Sequence, residues 1–579
     1  MLNFQALLQE YFPGSTARHR RAARVAGKFL GFLFFQKRFE QFARDHPSAY
    51  GFEFVEAALR FFDFNLRIRE SERARIPSSG QLVIAANHPI GSLDGIALLH
   101  LIRQIRPDVK VVANSLLMQV ERLHPVLLPV DNMGGTTTRQ HLLDIKAHLQ
   151  DGGALIIFPA GEVSRFGAKG VRDGGWNSGF VKLASATKAP ILPIYMGGRN
   201  SILFYSLSFL AKPLSTAWLI REMFSHSHNT IDARIGRPIP HEVYAANDLS
   251  AKTLARMFKR HVYRLAKGKK PVFKSVETVA PPESRVLLKQ ELKQSTELGI
   301  TPDGKRILLT TAAESPCVMR EIGRLRELTF RLVGEGSGLP RDIDAFDNTY
   351  LQLVLWDEDD LEIVGAYRLG DSRQLMERRG VDGLYSSTLF DYGPMMHRYF
   401  EEGLELGRSF VQPKYQTRHA LDYLWFGIGA YIIRNPHIRY LFGPASISKL
   451  YGPDATARIA LFYSGHFSGI PVSVMPKNPF QIPADVRTKL SSEFAGVDRE
   501  QDFKALKDAL GAKGFTVPTL YKHYSQTTDH TGVTFTAFNC DPEFADCIDA
   551  FVIADLTKLK PKKRKRYLGK EWVHVGDKA

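Results

Sequence analysis

Leu82-Val83-Ile84-Ala85-Ala86-Asn87-His88-Pro89-Ile90-Gly91-Ser92-Leu93-Asp94-Gly95 reads as a buried strand that ends in Asn-His, with an acid one tight turn later. A short apolar run closed by turn residues is the pattern of a strand covered on both faces. Ending it in His88 points an imidazole into a cleft, where the Asp94 carboxylate fixes its tautomer. The same residues also read as a turn and helix start in which Asp94 caps backbone amides. On one His and one Asp alone, both readings stand.

From Gln81 to about Pro240, similar runs alternate with amphipathic segments. Strands are expected at Val109 to Ala113, Ala154 to Phe158 and Ile191 to Tyr195, and helices at Ile96 to Ile105 and Thr138 to Leu149. This alternation predicts an α/β domain. The greasy segment Ile202 to Phe224 is interrupted by Lys212-Pro213, which predicts a bent pair of surface helices in place of a membrane span.

A chain of 579 residues is too long for one core. The Lys-Gly-Lys-Lys-Pro run near Lys267 and the Pro-rich stretch to Pro282 mark a boundary. The expected organisation is a basic and apolar helical region at 1–75, an α/β domain at 76–270, a linker at 271–300 and a second α/β domain at 301–579. In the second domain a helix is expected from Glu321 to Val333, with strands at Leu351 to Trp356 and Ile363 to Arg368.

With 77 Lys and Arg against 60 Asp and Glu, the net charge of +17 calls for an anionic partner: nucleic acid, a membrane surface or an acidic carrier protein. No zinc-finger spacing, basic zipper or RNP-like strand is present, so nucleic acid is set aside. Cys317, Cys540 and Cys547 have neither metal-site nor disulfide spacing, so no metal is expected and the compartment reads as the reducing cytoplasm. No apolar run is long enough to cross a bilayer. The first sixty residues alternate basic clusters (Arg18 to Arg21, Lys37-Arg38) with Phe29 to Phe35, which suits an anionic membrane surface or a helical cap with a solvated basic face. The run Lys558 to Arg566 reads as a solvated end or a contact for phosphates or an acidic partner.

Four blocks stand in order in the first half: Asn87-His88 to Asp94; Leu127 to Asn132 with Thr136 to Arg139; Phe158-Pro159-Ala160-Gly161-Glu162-Val163-Ser164-Arg165; and Ala189 to Ile194. The set resembles the glycerolphosphate and lysophospholipid acyltransferase family, with two departures. Five residues separate His88 from Asp94 where the family has four, and Glu162 follows its glycine where the family's acid precedes it. The resemblance implies O-acyl transfer from a thioester, with His88 as base, Asp94 as its orienter, and Arg139, Gly161, Glu162, Ser164 and Arg165 binding the acceptor.

The second half carries Arg326 and Phe330, Asp344 and Asp347, Arg368, and Glu405 to Phe410 with Arg408. Their order and spacing look like the acyl-homoserine-lactone synthase branch of the GNAT-like N-acyltransferases. The blocks Arg326 to Gly336, Val364 to Gly370, Val517 to Tyr521 and Phe538 to Phe544 are similar to ornithine-acyl-carrier-protein N-acyltransferases. That resemblance implies amide formation with Glu405 as base, while Arg326, Phe330, Asp344, Asp347, Arg368 and Arg408 shape the site or bind carboxylate or phosphate. The alternative is that these charges form structural ion pairs around a sheet.

Together the resemblances imply the bifunctional ornithine lipid synthases. These N-acylate ornithine with a 3-hydroxyacyl group and then esterify the 3-hydroxyl of lyso-ornithine lipid. Acyl carrier protein, with acyl coenzyme A as the other donor candidate, and an anionic membrane surface are the implied partners. The implied place is the cytoplasmic side of the inner membrane, held peripherally, with no cofactor. Two alternatives stay open: a lysophospholipid acyltransferase fused to an N-acyltransferase for another amino acid such as glycine, and a membrane adaptor that binds acyl carrier protein without turnover.

Overall fold

A computed structural model describes residues 35–574 apart from 114, 131–138, 168–169, 211, 246–248, 417–418, 495–497, 570–571 and 573. The basic and apolar clusters before Phe35, and Asp131, Asn132 and Thr136 to Thr138, lie outside the described residues. The chain divides into two compact units, Met1–Thr278 and Val279–Ala579.

The first unit contributes β1 (Asn65–Arg67), β2 (Leu82–Ala86), β3 (Lys110–Ala113), β4 (Leu127–Pro129) and β5 (Ala154–Ile157). A hairpin of β6 (Arg165–Gly167) and β7 (Gly170–Arg172) follows, then β8 (Ile191–Met196) and β9 (Thr230–Ile235). Seven strands form one sheet in the order β1-β9-β8-β2-β5-β3-β4. All its pairings are parallel except β8 with β9. Strand β2 lies between β5 and β8, with Ile84 opposite Ile156 on one side and Leu192 on the other, and all five of its residues are buried.

Its unbroken apolar run follows from this position, because a parallel sheet is covered on both faces. Val83 and Ala85 pack with Phe180 and Phe258, whereas Ile84 and Ala86 pack with Leu98 and Ile102 of the helix Ser92–Arg103. Each such buried aliphatic side chain contributes about 1.5–3 kcal/mol. His88 therefore stands just past the carboxyl end of a rigid central strand, the edge where open α/β sheets bind ligands. The greasy segment forms two helices, Ile202–Leu210 and Lys212–Ser225, the second with Lys212 and Pro213 in its first turn. No described helix is long and apolar enough to cross a membrane.

The second unit contributes β10 (Thr296–Ile300), β11 (Arg306–Thr311), β12 (Leu351–Asp357), β13 (Glu362–Asp371), β14 (Phe390–Tyr392) and β15 (Gly403–Val411). These are followed by β16 (Tyr440–Ile447), β17 (Val474–Pro476), β18 (Val533–Asp541) and β19 (Cys547–Asp555). Eight of them form a sheet in the order β10-β11-β12-β13-β15-β16-β19-β18. Only β15 and β16 pair in parallel there, and only over Gly403–Glu405 against Tyr440–Phe442. Beyond that the strands part at Gly443, whose φ of 155° no side chain tolerates well and whose Cβ would collide with the Leu406 carbonyl. The parting opens a cavity between the two strands.

Residues 271–300, expected as a linker, include the helix Arg285–Leu292 and strand β10 of this unit's sheet. The expected helix is longer at its start, Pro316–Leu332, because Pro316 occupies a first-turn position where its missing N–H costs nothing. The basic run near the C-terminus is not a free end. It forms the helix Pro561–Tyr567, fixed by an ion pair from Arg566 to Asp422, the Tyr567 hydroxyl 2.6 Å from Asp422, and buried Leu568 and Trp572.

Candidate active sites

In the first unit, His88 Nδ1 lies 2.8 Å from Asp94 Oδ1. The other oxygen of Asp94 accepts the backbone N–H groups of Ile90 at 2.8 Å and Gly91 at 3.4 Å. Asp94 thus caps the helix Ser92–Arg103 and holds the imidazole at once, so the two readings of the stretch are both present in one residue. The turn between them passes through Gly91, whose φ of +126° is accessible to glycine. Asp94 is fully buried, while the His88 side chain keeps 19% exposure. Nδ1, the nitrogen toward Asp94, is itself buried. Phe158 stacks on the imidazole at 4.3 Å. Burial opposes protonation of His88, but the Asp94 and Asp173 carboxylates outweigh it and hold the imidazole above its ordinary value of 6.5.

Asp173 is the residue that sequence reasoning missed here. Its carboxylate accepts the His88 backbone N–H at 3.2 Å, the Ser164 hydroxyl at 2.6 Å and the Trp176 indole N–H at 2.8 Å. Ser164 also donates its backbone N–H to the His88 carbonyl at 2.7 Å. Upstream, the Asn87 side-chain amide pairs reciprocally with the Met196 backbone at 2.8 and 2.7 Å, fixing the exit from β2.

Gly161 turns the third block at φ +69°, and Glu162 lies 3.8 Å from Arg165. The Arg165 guanidinium donates to Ser208 at 2.8 Å and sits over the Phe204 ring, with burial holding its pKa below the ordinary value. Arg139 is exposed at the first position of the helix Arg139–Gln150. Ser164 touches the His88 loop directly, Gly161, Glu162 and Arg165 form the turn beside it, and Arg139 stands on a separate element.

In the second unit, the expected arginines and aspartates come together as one buried network. Arg326 donates to Asp347 at 2.9 Å and Gln352 at 2.8 Å. Arg368 donates to Asp344 at 2.6 Å and lies over the rings of Tyr350 and Tyr385. Arg408 is 3.1 Å from Asp342 and 3.6 Å from Asp344, and is flanked by the rings of Tyr385 and Phe544. Burial would raise the Asp347 pKa, yet Arg326 and Arg368 hold it well below the carboxylate range. Arg326 and Arg368 are sealed at 0% and 1% exposure. Their ion pairs with Asp347 and Asp344 lie in the interior, at the segment that carries Asp344.

Glu405 is likewise enclosed, at 1% exposure. Its carboxylate accepts the Tyr350 hydroxyl and the backbone N–H groups of Tyr385 at 3.1 Å and Ser386 at 2.7 Å. Burial raises its pKa, and these hydrogen bonds oppose the rise.

The cavity where β15 and β16 part has a volume of about 110 Å³. Of the expected site residues, Phe330 and Arg408 line it, facing Tyr367 and Tyr385. It is also lined by Glu335, Asp541 and Asp549, to which no role was assigned from sequence. Among the described residues, Asp541, Cys547 and Asp549 offer ligand atoms within 4.8 Å of one another. Burial drives the Cys547 thiol pKa well up, and a protonated thiol is a poor metal ligand.

Residues 13–268 match the Acyltransferase family, and residues 325–426 match the Acetyltransferase (GNAT) domain. The chain is 32% identical over 307 residues to a glycine N(alpha)-acyltransferase of Phocaeicola vulgatus, covering 51% of this chain and 93% of that protein. It is 29% identical over 255 residues to a lyso-glycine lipid O-acyltransferase of the same organism, covering 43% and 90%. It is 33% identical over 148 residues to an L-ornithine N(alpha)-acyltransferase of Agrobacterium fabrum, covering 24% and 48%.

Proposed function

We propose that this chain, which belongs to the bacterial acyltransferases of amino-acid lipid synthesis and carries both N-acyl and O-acyl transfer, makes ornithine lipid. The second unit joins a 3-hydroxyacyl group from acyl carrier protein to the α-amine of ornithine. The first unit then esterifies the new 3-hydroxyl. The observation that carries this reading is the His88–Asp94 pair, a geometry suited to activating a hydroxyl, in the same chain as a GNAT domain similar to N(alpha)-acyltransferases.

For the ester, neutral His88 takes the hydroxyl proton on the nitrogen facing away from Asp94 as the oxygen attacks the thioester carbonyl. The C–O bond forms, the C–S bond breaks, and His88 returns the proton to the departing sulfur. For the amide, the amine nitrogen attacks the thioester carbonyl, the C–N bond forms and the C–S bond breaks, and the proton that nitrogen loses is passed to the departing sulfur, which leaves as the carrier thiol. Glu405 is the proton acceptor, acting through the Tyr350 hydroxyl that it holds. The thioester supplies the activation, so the scheme asks for no cofactor. The net charge of +17 suits an acidic carrier protein and a peripheral position on the cytoplasmic face of the inner membrane.

A second reading takes glycine as the acceptor. It is favoured by the glycine relative, which is matched along far more of its length than the ornithine relative. Incubating the purified full chain with 3-hydroxyacyl carrier protein and each amino acid separates the two. Ornithine is expected to give the lyso product, and lyso product from glycine alone would replace ornithine in the proposal.

A further inference from the structure

We infer that Asn200 is a positioning residue for the His88–Asp94 pair, clamping the turn between them from its carbonyl side, with His226 fixing the orientation of its amide. The inference rests on the ester step proposed above and deepens it, because it says what holds that pair at its working distance.

The turn after β2 contains two successive peptide groups, Pro89–Ile90 and Ile90–Gly91. Their N–H groups, on Ile90 and Gly91, point at one oxygen of Asp94. Their carbonyls, on Pro89 and Ile90, accept from the Asn200 side-chain nitrogen at 3.4 and 3.2 Å. Both peptide planes are therefore gripped from two sides: by the carboxylate that also holds the imidazole, and by the Asn200 amide.

Asn200 is itself anchored. Its backbone N–H donates to the Tyr205 hydroxyl at 3.0 Å, and the next residue, Ser201, donates its N–H and its hydroxyl to the buried Glu222 carboxylate at 2.8 and 2.6 Å. At Gly198, φ +125°, the same loop passes so close to Ile90 that a Cβ would lie 2.8 Å from its Cδ1. Asn87, at the exit from β2, grips the Met196 backbone in return. An asparagine past each of these two neighbouring strands thus holds the backbone of the other.

The orientation of the Asn200 amide follows from its partners. The Asn229 side-chain nitrogen can only donate, and it lies 3.2 Å from His226 Nδ1, so that ring nitrogen accepts and carries no proton. His226 Nε2 then carries the hydrogen and donates to the Asn200 side-chain oxygen at 3.2 Å. This leaves the Asn200 NH2 facing the two carbonyls, where a reversed amide would set oxygen against oxygen. Burial, opposed by the Glu222 and Asp94 carboxylates, holds the His226 pKa below its ordinary value of 6.5, so the ring keeps this neutral form where His88 titrates. Without the amide, two buried carbonyls lose this donor, which costs more than the bonds contributed. The turn relaxes, and Asp94 with it.

The test gives the purified full chain N-(3-hydroxyacyl)ornithine and an acyl thioester of acyl carrier protein, and follows the ester step across pH. In Asn200→Ala, kcat is expected to fall by roughly ten- to a hundredfold, the scale of a small misplacement of reacting groups, with KM for the lyso-lipid near that of the wild type. The pH midpoint is expected to move down toward 6.5, because the Asp94 charge is no longer held against the imidazole. His226→Gln keeps a side-chain N–H for Asn200 and is expected to retain the wild-type midpoint, whereas His226→Leu shifts it in the direction of Asn200→Ala.

A wild-type midpoint in Asn200→Ala overturns the inference even where kcat or the melting temperature falls, since damage to the fold alone leaves the pair's titration in place. Equal midpoints in the two His226 variants overturn it as well, and they decide the matter if Asn200→Ala does not fold. No ester from the wild-type chain overturns the proposed ester step itself, and the positioning role with it.

Discussion

His88 and Asp94 lie 2.8 Å apart across five intervening residues, with Gly91 turning into the helix that Asp94 caps. One carboxylate oxygen serves the fold and the other serves the imidazole. Substitutions here therefore differ in which role they remove.

His88→Ala removes the base and leaves the helix cap. Ester formation is expected to fall by about 10²- to 10⁴-fold, the usual contribution of a positioned general base. Amide formation, carried by the other unit, continues. The measurement is the ratio of mono- to di-acylated product by mass spectrometry.

The pH profile of the ester step follows from the His88 environment. The base works in its neutral form, and Asp94 and Asp173 hold the folded pKa above 6.5, so activity is expected to rise with pH through a midpoint above that value. Asp94→Asn removes the neighbouring charge and leaves burial, so the midpoint moves down. The linked stability has the opposite sense. The protonated His88 contribution is complete below the unfolded value of about 6.5 and is lost as pH rises through the folded one. A midpoint unmoved in Asp94→Asn would separate the two residues.

Arg408→Lys tests the GNAT-domain cavity. The planar guanidinium lies against the rings of Tyr385 and Phe544 while facing Asp342 and Asp344, a set of contacts that a lysine ammonium cannot reproduce. Amide formation is expected to fall by at least roughly tenfold, the scale of one charged hydrogen bond, with ester formation on supplied lyso-lipid retained.

Gly429→Ala tests the docking of the basic tail. A Cβ at this position of the helix Ala420–Arg434 would run into the Tyr567 carbonyl of the helix Pro561–Tyr567. Overpacking of this kind costs about 1–3 kcal/mol. The expected outcome is a lower melting temperature with faster proteolytic loss of the C-terminal residues.

Much of this was legible from sequence for a physical reason. The run Leu82 to Ala86 has the pattern of a strand buried on both faces, and Pro213 fits only the first turn of a helix, so the apolar segment divides before it. His88 and Asp94 are close in the chain, so a local motif finds them. Asp173 lies 85 positions from His88 and stands alone in a loop, with no local signal of its contact. Arg326 and Arg368 were expected to shape the site or bind, with ion pairs as the alternative, and spacing does not reveal that Asp347 and Asp344 are their partners in the interior. The acids of the cavity come from three segments, the loop after Pro316–Leu332, β18 and β19, that meet only in the fold. In the tail, charge density suggested a solvated end or a contact for an anionic partner; Lys562, Lys565 and Arg566 are exposed, while the apolar residues that tie the helix down, Tyr567, Leu568 and Trp572, give no signal of that in the charge pattern.

The most direct measurement is total lipid analysis, by thin-layer chromatography and mass spectrometry, of a host without aminolipids that expresses the full chain. The expected result is a new ninhydrin-positive lipid carrying one amide-linked and one ester-linked acyl chain. In His88→Ala its mono-acylated form accumulates, and in Glu405→Ala both forms are lost. Unchanged lipids in the host that expresses the wild-type chain would contradict the account.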